Sequence, residues 1–124
     1  TLDFMCGSME RNGIVPDAFR ESIFLREGYS STVFFRTFAV PHAMDFLAYE
    51  TKIAVLIPST PINWETSDVS LVLLLAINEG DYDDFVRFYQ PLISVLYDRE
   101  LFTELRSMSS YHEFMKFLDK QISM

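Results

Sequence analysis

Apolar residues recur at helical spacing over the first 25 residues of the chain, and this pattern predicts two helices. The first helix is predicted over residues 1–12 and ends at Gly13. Its apolar face is formed by Leu2, Met5, Cys6 and Met9. The second helix is predicted from Pro16 to Leu25, because proline is favoured in the first turn, and Arg26-Glu27-Gly28 ends it. Its apolar face is formed by Phe19, Ile23 and Phe24.

The middle of the chain changes to apolar runs of strand length that are bounded by prolines. Strands are predicted at Phe35–Val40, ended by Pro41, at Ile53–Ile57 and at Val69–Ile77. The run IAVLI is apolar at every position, which indicates a strand that is buried on both faces. Pro58 and Pro61 are expected to bracket a loop after it.

The last third of the chain returns to helical spacing. A helix is predicted over Asp81–Leu96, with a kink or break at Pro91. Asp98 is expected to cap a short helix, and Ser110 and Glu113 have the spacing of a capping box that opens a last helix. The order of helices, strands and helices predicts an α/β fold of layered α+β type, with a small mixed β-sheet flanked by helices.

Composition narrows the class of protein. At 124 residues and 49% hydrophobic content the chain is long enough for one packed domain. No apolar run approaches the roughly 18 residues that span a membrane. A single cysteine excludes an internal disulfide and suits the cytoplasm. A net charge of −8 without a basic block argues against direct contact with nucleic acid. No membrane contact and no cofactor are expected.

His42 is the residue with the clearest chemical potential. It is one of two histidines and follows Pro41 at a predicted strand end. A neutral imidazole nitrogen can attack an electrophile near pH 7, because the unperturbed pKa of histidine is roughly 6.5. A turn histidine that binds a backbone carbonyl is an equally open interpretation. A metal site is not expected, because the spacing of His42, His112 and the carboxylates fits no local ligand motif.

A phosphoryl group on His42 would need partners for its three charged oxygens. Arg26, sixteen residues upstream, could supply a bidentate guanidinium, and the hydroxyls of residues 30–32 could supply further hydrogen bonds. Arg36 is nearer in sequence. Spacing alone places none of them beside His42. Arg26 could equally stabilise a helix C-terminus, and the hydroxyl cluster could be a capping loop.

Residues 26–42, REGYSSTVFFRTFAVPH, resemble the active-site segment of enzyme IIA domains of the fructose–mannitol class, which belong to the bacterial sugar phosphotransferase system (PTS). The shared pattern is an Arg-Glu pair, a Ser/Thr cluster and an apolar strand that ends in Val-Pro-His. Residues 53–78 resemble the strand, Pro-Ile-x-Trp turn and next strand of that family, and residues 83–118 resemble its closing helices. The resemblance covers nearly the whole chain and lacks only the first strand and the start of the first helix.

The resemblance implies the EIIA fructose/mannitol-type fold and a set of roles for individual residues. His42 would accept a phosphoryl group from the phosphohistidine of the carrier HPr. Arg26 would pair with the phosphoryl oxygens, and Ser31 or Thr32 would be hydrogen-bonding neighbours. The catalytic set implied is therefore His42, Arg26, Ser31 and Thr32, with no metal.

One departure from the family pattern bears on the partner. Transporter-type members carry a second histidine where the long helix begins, and the corresponding residue here is Phe85 or, one position away, Asp84. His112 does not match that position. Onward transfer to an EIIB domain is therefore the less favoured role. EIIA-like domains also occur in PRD-containing transcriptional regulators of the antiterminator, activator and lichenan-operon type, and the tail SSYHEFMKFLDKQ resembles theirs.

These observations leave three hypotheses. In the first, residues 1–124 are a single EIIA-like domain from a longer regulator, phosphorylated on His42 to report sugar supply, while other domains of the regulator bind nucleic acid. In the second, the domain is a phosphocarrier that passes the group to an EIIB domain. In the third, it is a docking module that is not phosphorylated. The missing second histidine favours the first hypothesis over the second.

Overall fold

The computed structural model describes residues 1–29, 31–34, 37–43, 47–64 and 67–123. They form two compact units, Thr1–Tyr82 and Asp83–Met124. The first unit contains α1 (Leu2–Arg11), α2 (Ala18–Tyr29), β1 (Val33–Phe34), β2 (Phe38–Ala39), β3 (Leu47–Leu56), β4 (Ile62–Trp64), β5 (Ser67–Val69), β6 (Leu71–Asn78) and a 3-10 turn (Glu79–Asp81). The helices after the turn are α3 (Tyr82–Tyr97), α4 (Arg99–Arg106) and α5 (Tyr111–Ser123).

A four-stranded mixed sheet in the order β1-β2-β6-β3 organises the first unit. Strand β2 pairs antiparallel with β1 and parallel with β6, while β3 pairs antiparallel with β6. Strands β4 and β5 form a separate antiparallel hairpin. The predicted fold class, a small mixed sheet combined with helices, is confirmed.

Helices α1 and α2 pack on one face of this sheet. Their buried apolar side chains share a core cluster with alternate residues of β6, namely Val72, Leu74 and Ala76. The predicted inner face of α1 is confirmed, because all four of its residues are buried: Leu2, Met5, Cys6 and Met9. Gly13 follows the helix with a φ of 70°, a conformation that glycine adopts without strain.

The predicted end of the second helix is wrong. Helix α2 continues through Gly28 to Tyr29, although glycine inside a helix costs about 1 kcal/mol relative to alanine. The last turn is held by Glu27, whose carboxylate accepts hydrogen bonds from Thr32 and Trp64. The predicted inward position of Phe24 is also wrong, because this side chain is 45% exposed. It follows the buried Ile23 directly and therefore points about 100° away around the helix.

Two predicted strands differ from the observed ones. The segment Phe35–Val40 is not one strand: β1 and β2 form a hairpin, and residues 35 and 36 lie outside the described part of the chain. The run Ile53–Ile57 is half-buried rather than buried on both faces. The physical reason is the position of β3, which ends the strand order and pairs only with β6 among the described strands.

The third predicted strand is divided in the structure. Val69 ends β5, and the buried strand β6 begins at Leu71. All seven residues from Leu71 to Ile77 are buried, as expected for a central strand. The β4–β5 hairpin, which follows the predicted loop, was not predicted from the sequence.

The helices after the sheet agree closely with the predicted pattern. Helix α3 continues through Pro91 rather than breaking there, and the four residues buried beyond it are Leu92, Ile93, Val95 and Leu96. The predicted cap at Asp98 is confirmed, because its Oδ1 accepts the backbone N–H groups of Glu100 and Leu101 at 3.0 and 3.1 Å. No helix in the described residues is both long and apolar enough to cross a membrane.

The predicted start of the last helix also has its expected hydrogen bond. The Oγ of Ser110 accepts the backbone N–H of Glu113 at 3.1 Å. In α5, Phe114 and Leu118 are buried, one helical turn apart. The predicted last helix is therefore present and contributes these two side chains to a buried surface.

Candidate functional site

His42 lies beside the central strand of the sheet, just after β2 ends. The backbone N–H of Leu75 donates to the carbonyl of Pro41 at 2.9 Å, and His42 itself forms an isolated parallel bridge with Leu75. The register of β2 and β6 therefore continues beyond β2. Hydrogen bonding of Pro41 to β6 and the bridge to Leu75 position the backbone of His42. The His42 side chain is half-buried.

One nitrogen of the His42 ring is assigned by its hydrogen bond. Nδ1 lies 3.0 Å from the carbonyl oxygen of Val40. A carbonyl oxygen accepts and never donates, so Nδ1 must carry the hydrogen. In the neutral ring the lone pair is therefore on Nε2. The carbonyl-bound histidine considered from the sequence is thus observed, and it leaves the nucleophilic role chemically open through the other nitrogen.

The surroundings of His42 favour the neutral ring. Burial is the largest influence and lowers its pKa from the ordinary value of 6.5. The hydrogen bond to the Val40 carbonyl acts in the opposite direction. The charge of Arg26 lowers the pKa further, and the charge of Glu27 raises it. The net pKa is lowered, so the imidazole is predominantly neutral at pH 7.

The last turn of α2 brings the Arg-Glu pair to the site. Arg26 is half-buried, and its charge acts on His42 although the two residues are sixteen positions apart. Glu27 is 9% exposed, and donors from two other segments converge on its carboxylate. The Thr32 hydroxyl donates to Oε1, the Thr32 N–H lies 3.3 Å from Oε1, and Trp64 Nε1–H lies 3.3 Å from Oε2.

The two hydroxyl residues of the predicted site have different environments. Thr32 is 3% exposed, and its hydroxyl is used by Glu27. Ser31 is exposed, and its Oγ accepts the backbone N–H of Val33 at 3.2 Å. Ser30 and Arg36 lie outside the described residues. The hydrogen bonds of Thr32 therefore connect it to Glu27 and, through Val40, to His42, while Ser31 is exposed in the same loop.

Glu27 and Trp64 belong to this arrangement, and reasoning from the sequence did not assign them a role there. A signal was available for both. A buried tryptophan needs an acceptor for its N–H, and a buried glutamate needs donors for its carboxylate. Both side chains also line a cleft of about 350 Å³, whose other lining residues include Leu2, Phe24 and Ile62.

The remaining candidates are separate from these residues in sequence. His112 is exposed on α5. Asp84 is in the first turn of α3, where its Oδ1 accepts a hydrogen bond from Arg87 at 2.6 Å, and Phe85 is the next residue. Within the described ranges, no three His, Cys, Asp or Glu side chains are grouped as metal ligands would be.

Comparison with known proteins identifies the family to which this fold belongs. Residues 1–121 match the family described as "Phosphoenolpyruvate-dependent sugar phosphotransferase system, EIIA 2". The match covers nearly the whole chain, so this protein belongs to that family. The predicted resemblance to PTS enzyme IIA domains is thereby confirmed.

A curated relative and two solved structures are similar to the chain. The "Probable licABCH operon regulator" of Bacillus subtilis (strain 168) is 29% identical over 121 residues, which are 98% of this chain and 19% of that protein. The chain thus spans about a fifth of that relative's length. A PTS IIA domain of Streptococcus pyogenes M1 GAS is 17% identical with a TM-score of 0.72, over 97% of this chain and 80% of that one.

The second structure is a complex of enzyme IIAMTL and phosphorylated enzyme IIBMTL from Escherichia coli. It is 17% identical to this chain with a TM-score of 0.70, over 90% of this chain and 80% of that one. At these identities the two structures support the fold alone. The predicted EIIA fold is confirmed by them, and the predicted likeness to regulator-type domains agrees with the operon regulator among the relatives.

Proposed function

We propose that His42 accepts a phosphoryl group from phospho-HPr, and that this phosphorylation makes the domain a sensor within a sugar-operon transcriptional regulator. The observation that carries the proposal is the state of the ring. Nδ1–H is bound to the Val40 carbonyl at 3.0 Å and the pKa is lowered, so the lone pair of a neutral imidazole is on Nε2. This is the form that a nucleophile needs.

The chemistry of the transfer step is set by that tautomer. The Nε2 lone pair forms the new N–P bond, while the bond between phosphorus and the imidazole nitrogen of HPr breaks. In this step phospho-HPr enters with a proton on the other nitrogen of its ring, so the HPr imidazole takes the electron pair of the broken bond and leaves as a neutral ring. His42 keeps its Nδ1 proton and becomes a phosphorylated imidazolium, so the hydrogen bond to Val40 holds the ring in one orientation before and after transfer.

Arg26 supplies the positive charge for the phosphoryl oxygens. Its charge acts on the imidazole, which supports the proposal that it also stabilises charge on a group attached to that ring. The hydroxyl of Ser31 is exposed, and we propose it as the donor to a phosphoryl oxygen. The Thr32 hydroxyl donates to Glu27, so Thr32 contributes by orienting its neighbours.

The sensor role rests on the family and on the operon regulator among the relatives. In this proposal the chain is one domain of a longer cytoplasmic regulator, and phosphorylation of His42 changes how the domain packs against the others. A charge of about −2 added at a half-buried site is sufficient to alter an interface by a few kcal/mol. Other domains would bind nucleic acid, in keeping with the net charge of −8 here.

A phosphocarrier that serves an EIIB domain is the second candidate. It is favoured by the structural likeness to IIAMTL, which was solved in complex with phosphorylated IIBMTL. It is disfavoured by Asp84 and Phe85, which stand where transporter-type domains are expected to carry a second histidine. The two candidates share the phosphorylation of His42 and differ in the fate of the phosphoryl group.

Phosphotransfer in vitro tests the shared step. The chain is mixed with enzyme I, HPr and radiolabelled phosphoenolpyruvate, beside His42→Gln and His112→Gln variants. We expect acid-labile, alkali-stable label on the parent and on His112→Gln, and none on His42→Gln. An unlabelled parent beside fully charged HPr would contradict the proposal and leave the docking-module hypothesis.

A second experiment separates sensor from carrier. Labelled domain is offered EIIB domains, and in parallel His42→Gln and His42→Asp are introduced into the full-length regulator with an operon reporter. The sensor proposal predicts that both substitutions change transcription, since neither can be phosphorylated. Rapid loss of label to an EIIB domain, with transcription unchanged in both variants, would favour the carrier.

A further inference from the structure

A buried carboxylate beside the Arg26–His42 pair has no part in the transfer step described above. Glu27 is the residue after Arg26 in the last turn of α2 and is 9% exposed. A carboxylate so deeply buried is costly unless donors satisfy it. Three donors do so: the Thr32 hydroxyl, the Thr32 backbone N–H at 3.3 Å and Trp64 Nε1–H at 3.3 Å.

Two further hydrogen bonds lead from Thr32 to the histidine ring. The carbonyl of Thr32 accepts the N–H of Val40 at 3.1 Å, which extends the β1–β2 register by one pair. The carbonyl of Val40 then accepts Nδ1–H of His42 at 3.0 Å. A series of hydrogen bonds through Thr32 and Val40 therefore connects the Glu27 carboxylate to the imidazole.

Trp64 fixes the other side of the carboxylate. Strand β4 ends at this residue, whose ring is 9% exposed and packed in the core cluster. Because its indole N–H reaches Oε2 of Glu27, the carboxylate joins helix α2, the loop before β1 and the β4–β5 hairpin. Because the carboxylate links these three segments, it can move only if its hydrogen bonds to them break or the segments move with it.

We propose that Glu27 is the positioning residue of His42: through Thr32 and Val40 it fixes the orientation of the imidazole and keeps the ring proton on Nδ1. The expected effect of Glu27 on phosphoryl transfer rests on the proposed function. Its expected effect on the tautomer of His42 does not depend on that function.

A purely structural Glu27 would behave differently. It would contribute to the stability of the domain, and replacing it would leave the tautomer of His42 unchanged, with only the lost charge acting on its pKa. A positioning Glu27 connects to the ring, and replacing it also alters the tautomer. The tautomer of the ring therefore discriminates between the two roles where a melting temperature does not.

The experiment measures the His42 ring by nitrogen-15 NMR in the whole 124-residue chain, with His112→Gln identifying the signals. Glu27→Gln removes the charge and keeps the size. Glu21→Gln is the matched control, since it makes the same change at an exposed position of the same helix. In Glu27→Gln we expect a smaller fraction of the tautomer protonated at Nδ1 and a lower His42 pKa, because the Glu27 charge raises that pKa. In Glu21→Gln we expect neither change.

A second variant keeps the test decisive if Glu27→Gln fails to fold. Thr32→Val removes the hydroxyl that donates to Glu27 and retains the shape of the buried side chain. We expect it to reduce the Nδ1–H tautomer as well. The initial rate of phosphoryl transfer from phospho-HPr should fall on the order of 10-fold in both variants, because a reacting group out of position loses much of its advantage.

The outcomes are distinguishable from those of the proposed function. If the fraction of the Nδ1–H tautomer of His42 is the same in Glu27→Gln as in the parent and in Glu21→Gln, the inference is overturned, whatever the phosphorylation result. If the parent is not phosphorylated and this fraction is lower in Glu27→Gln, the proposed function is overturned and the positioning role is supported.

Discussion

The indole Nε1–H of Trp64 donates a hydrogen bond to Oε2 of Glu27 at 3.3 Å, across 37 positions of the chain. Both residues are 9% exposed. This contact fastens the β4–β5 hairpin to the last turn of α2, which also carries Arg26. The geometry of the phosphoryl-acceptor site proposed here thus depends on a residue well removed from it in sequence.

Trp64→Phe should destabilise the domain by about 2 kcal/mol, since a hydrogen bond to a buried carboxylate is lost and a smaller ring fills the site. The measurement is urea denaturation with far-ultraviolet circular dichroism. Tyr49→Phe is the control, because it changes an aromatic side chain that is 63% exposed. Its free energy of unfolding should stay within about 0.5 kcal/mol of the parent. An equal effect of both substitutions would contradict the role given to Trp64.

The stability of the domain should decrease in acid partly because of His42. Its pKa in the folded state is lowered from 6.5, so below pH 6.5 the unfolded state binds the proton more readily. The contribution of His42 to the free energy of unfolding is fully present above pH 6.5 and decreases as the pH falls below 6.5. It levels off below the folded-state pKa of His42. Denaturation of the parent and of His42→Gln between pH 7.5 and 4.5 measures it.

In His42→Gln the part of the acid destabilisation that begins near pH 6.5 should be missing. The difference in stability between the parent and the variant should therefore change as the pH falls through this range. A parallel decline of both proteins over the whole range would show that the folded state does not disfavour the protonated ring.

Arg26→Gln should have two effects of known direction. The His42 pKa should rise, because the charge of Arg26 lowers it, and this is opposite in sign to the expected effect of Glu27→Gln. The phosphotransfer rate should fall about 100-fold, the magnitude typical of losing one group that stabilises developing charge. Nitrogen-15 titration and radiolabel transfer measure the two effects.

The control for Arg26 is Arg99→Gln, an exposed arginine in the first turn of α4. It makes the same change in net charge and should leave the His42 titration and the transfer rate unchanged. If Arg99→Gln altered them as much as Arg26→Gln, the effect would be one of net charge rather than of a group beside the ring.

Cys6 should be unreactive in the folded domain. It is fully buried in α1, and burial, with a smaller contribution from Glu10, raises its pKa to about 11. Since the thiolate is the reactive form, a disulfide reagent at about pH 7.5 should modify it only through opening of the domain. Reaction should become complete and rapid in urea. Rapid reaction without denaturant would show that the thiol is not buried in the folded domain.

Local chemistry in the sequence predicted several elements correctly. The four apolar residues of α1, the Asp98 cap and the Ser110 hydrogen bond to Glu113 all depend on residues within one or two helical turns of each other. Periodicity and capping report such short-range geometry directly. The resemblance to enzyme IIA domains then supplied the long-range prediction that Arg26 acts on His42, and the charge of Arg26 does lower the pKa of that ring.

The features that the sequence did not predict depend on contacts between distant segments. Gly28 is typical of a helix end, and it remains helical because Glu27 is bound by Thr32 and by Trp64 of the β4–β5 hairpin. The apolar run Ile53–Ile57 is typical of a central strand, and its half-burial results from its place in the strand order. No local pattern encodes either fact, because each depends on which segment lies alongside.

The proposed phosphorylation of His42 is tested most directly by finding the atom that carries the phosphoryl group. The chain, labelled with nitrogen-15 in its histidine rings, is phosphorylated by phospho-HPr, and the phosphorus–nitrogen coupling is measured by NMR. We expect coupling to Nε2 of His42, with Nδ1 still protonated and bound to Val40. Coupling to Nδ1 of His42, a phosphoryl group on His112, or no phosphorylation at all would contradict this expectation.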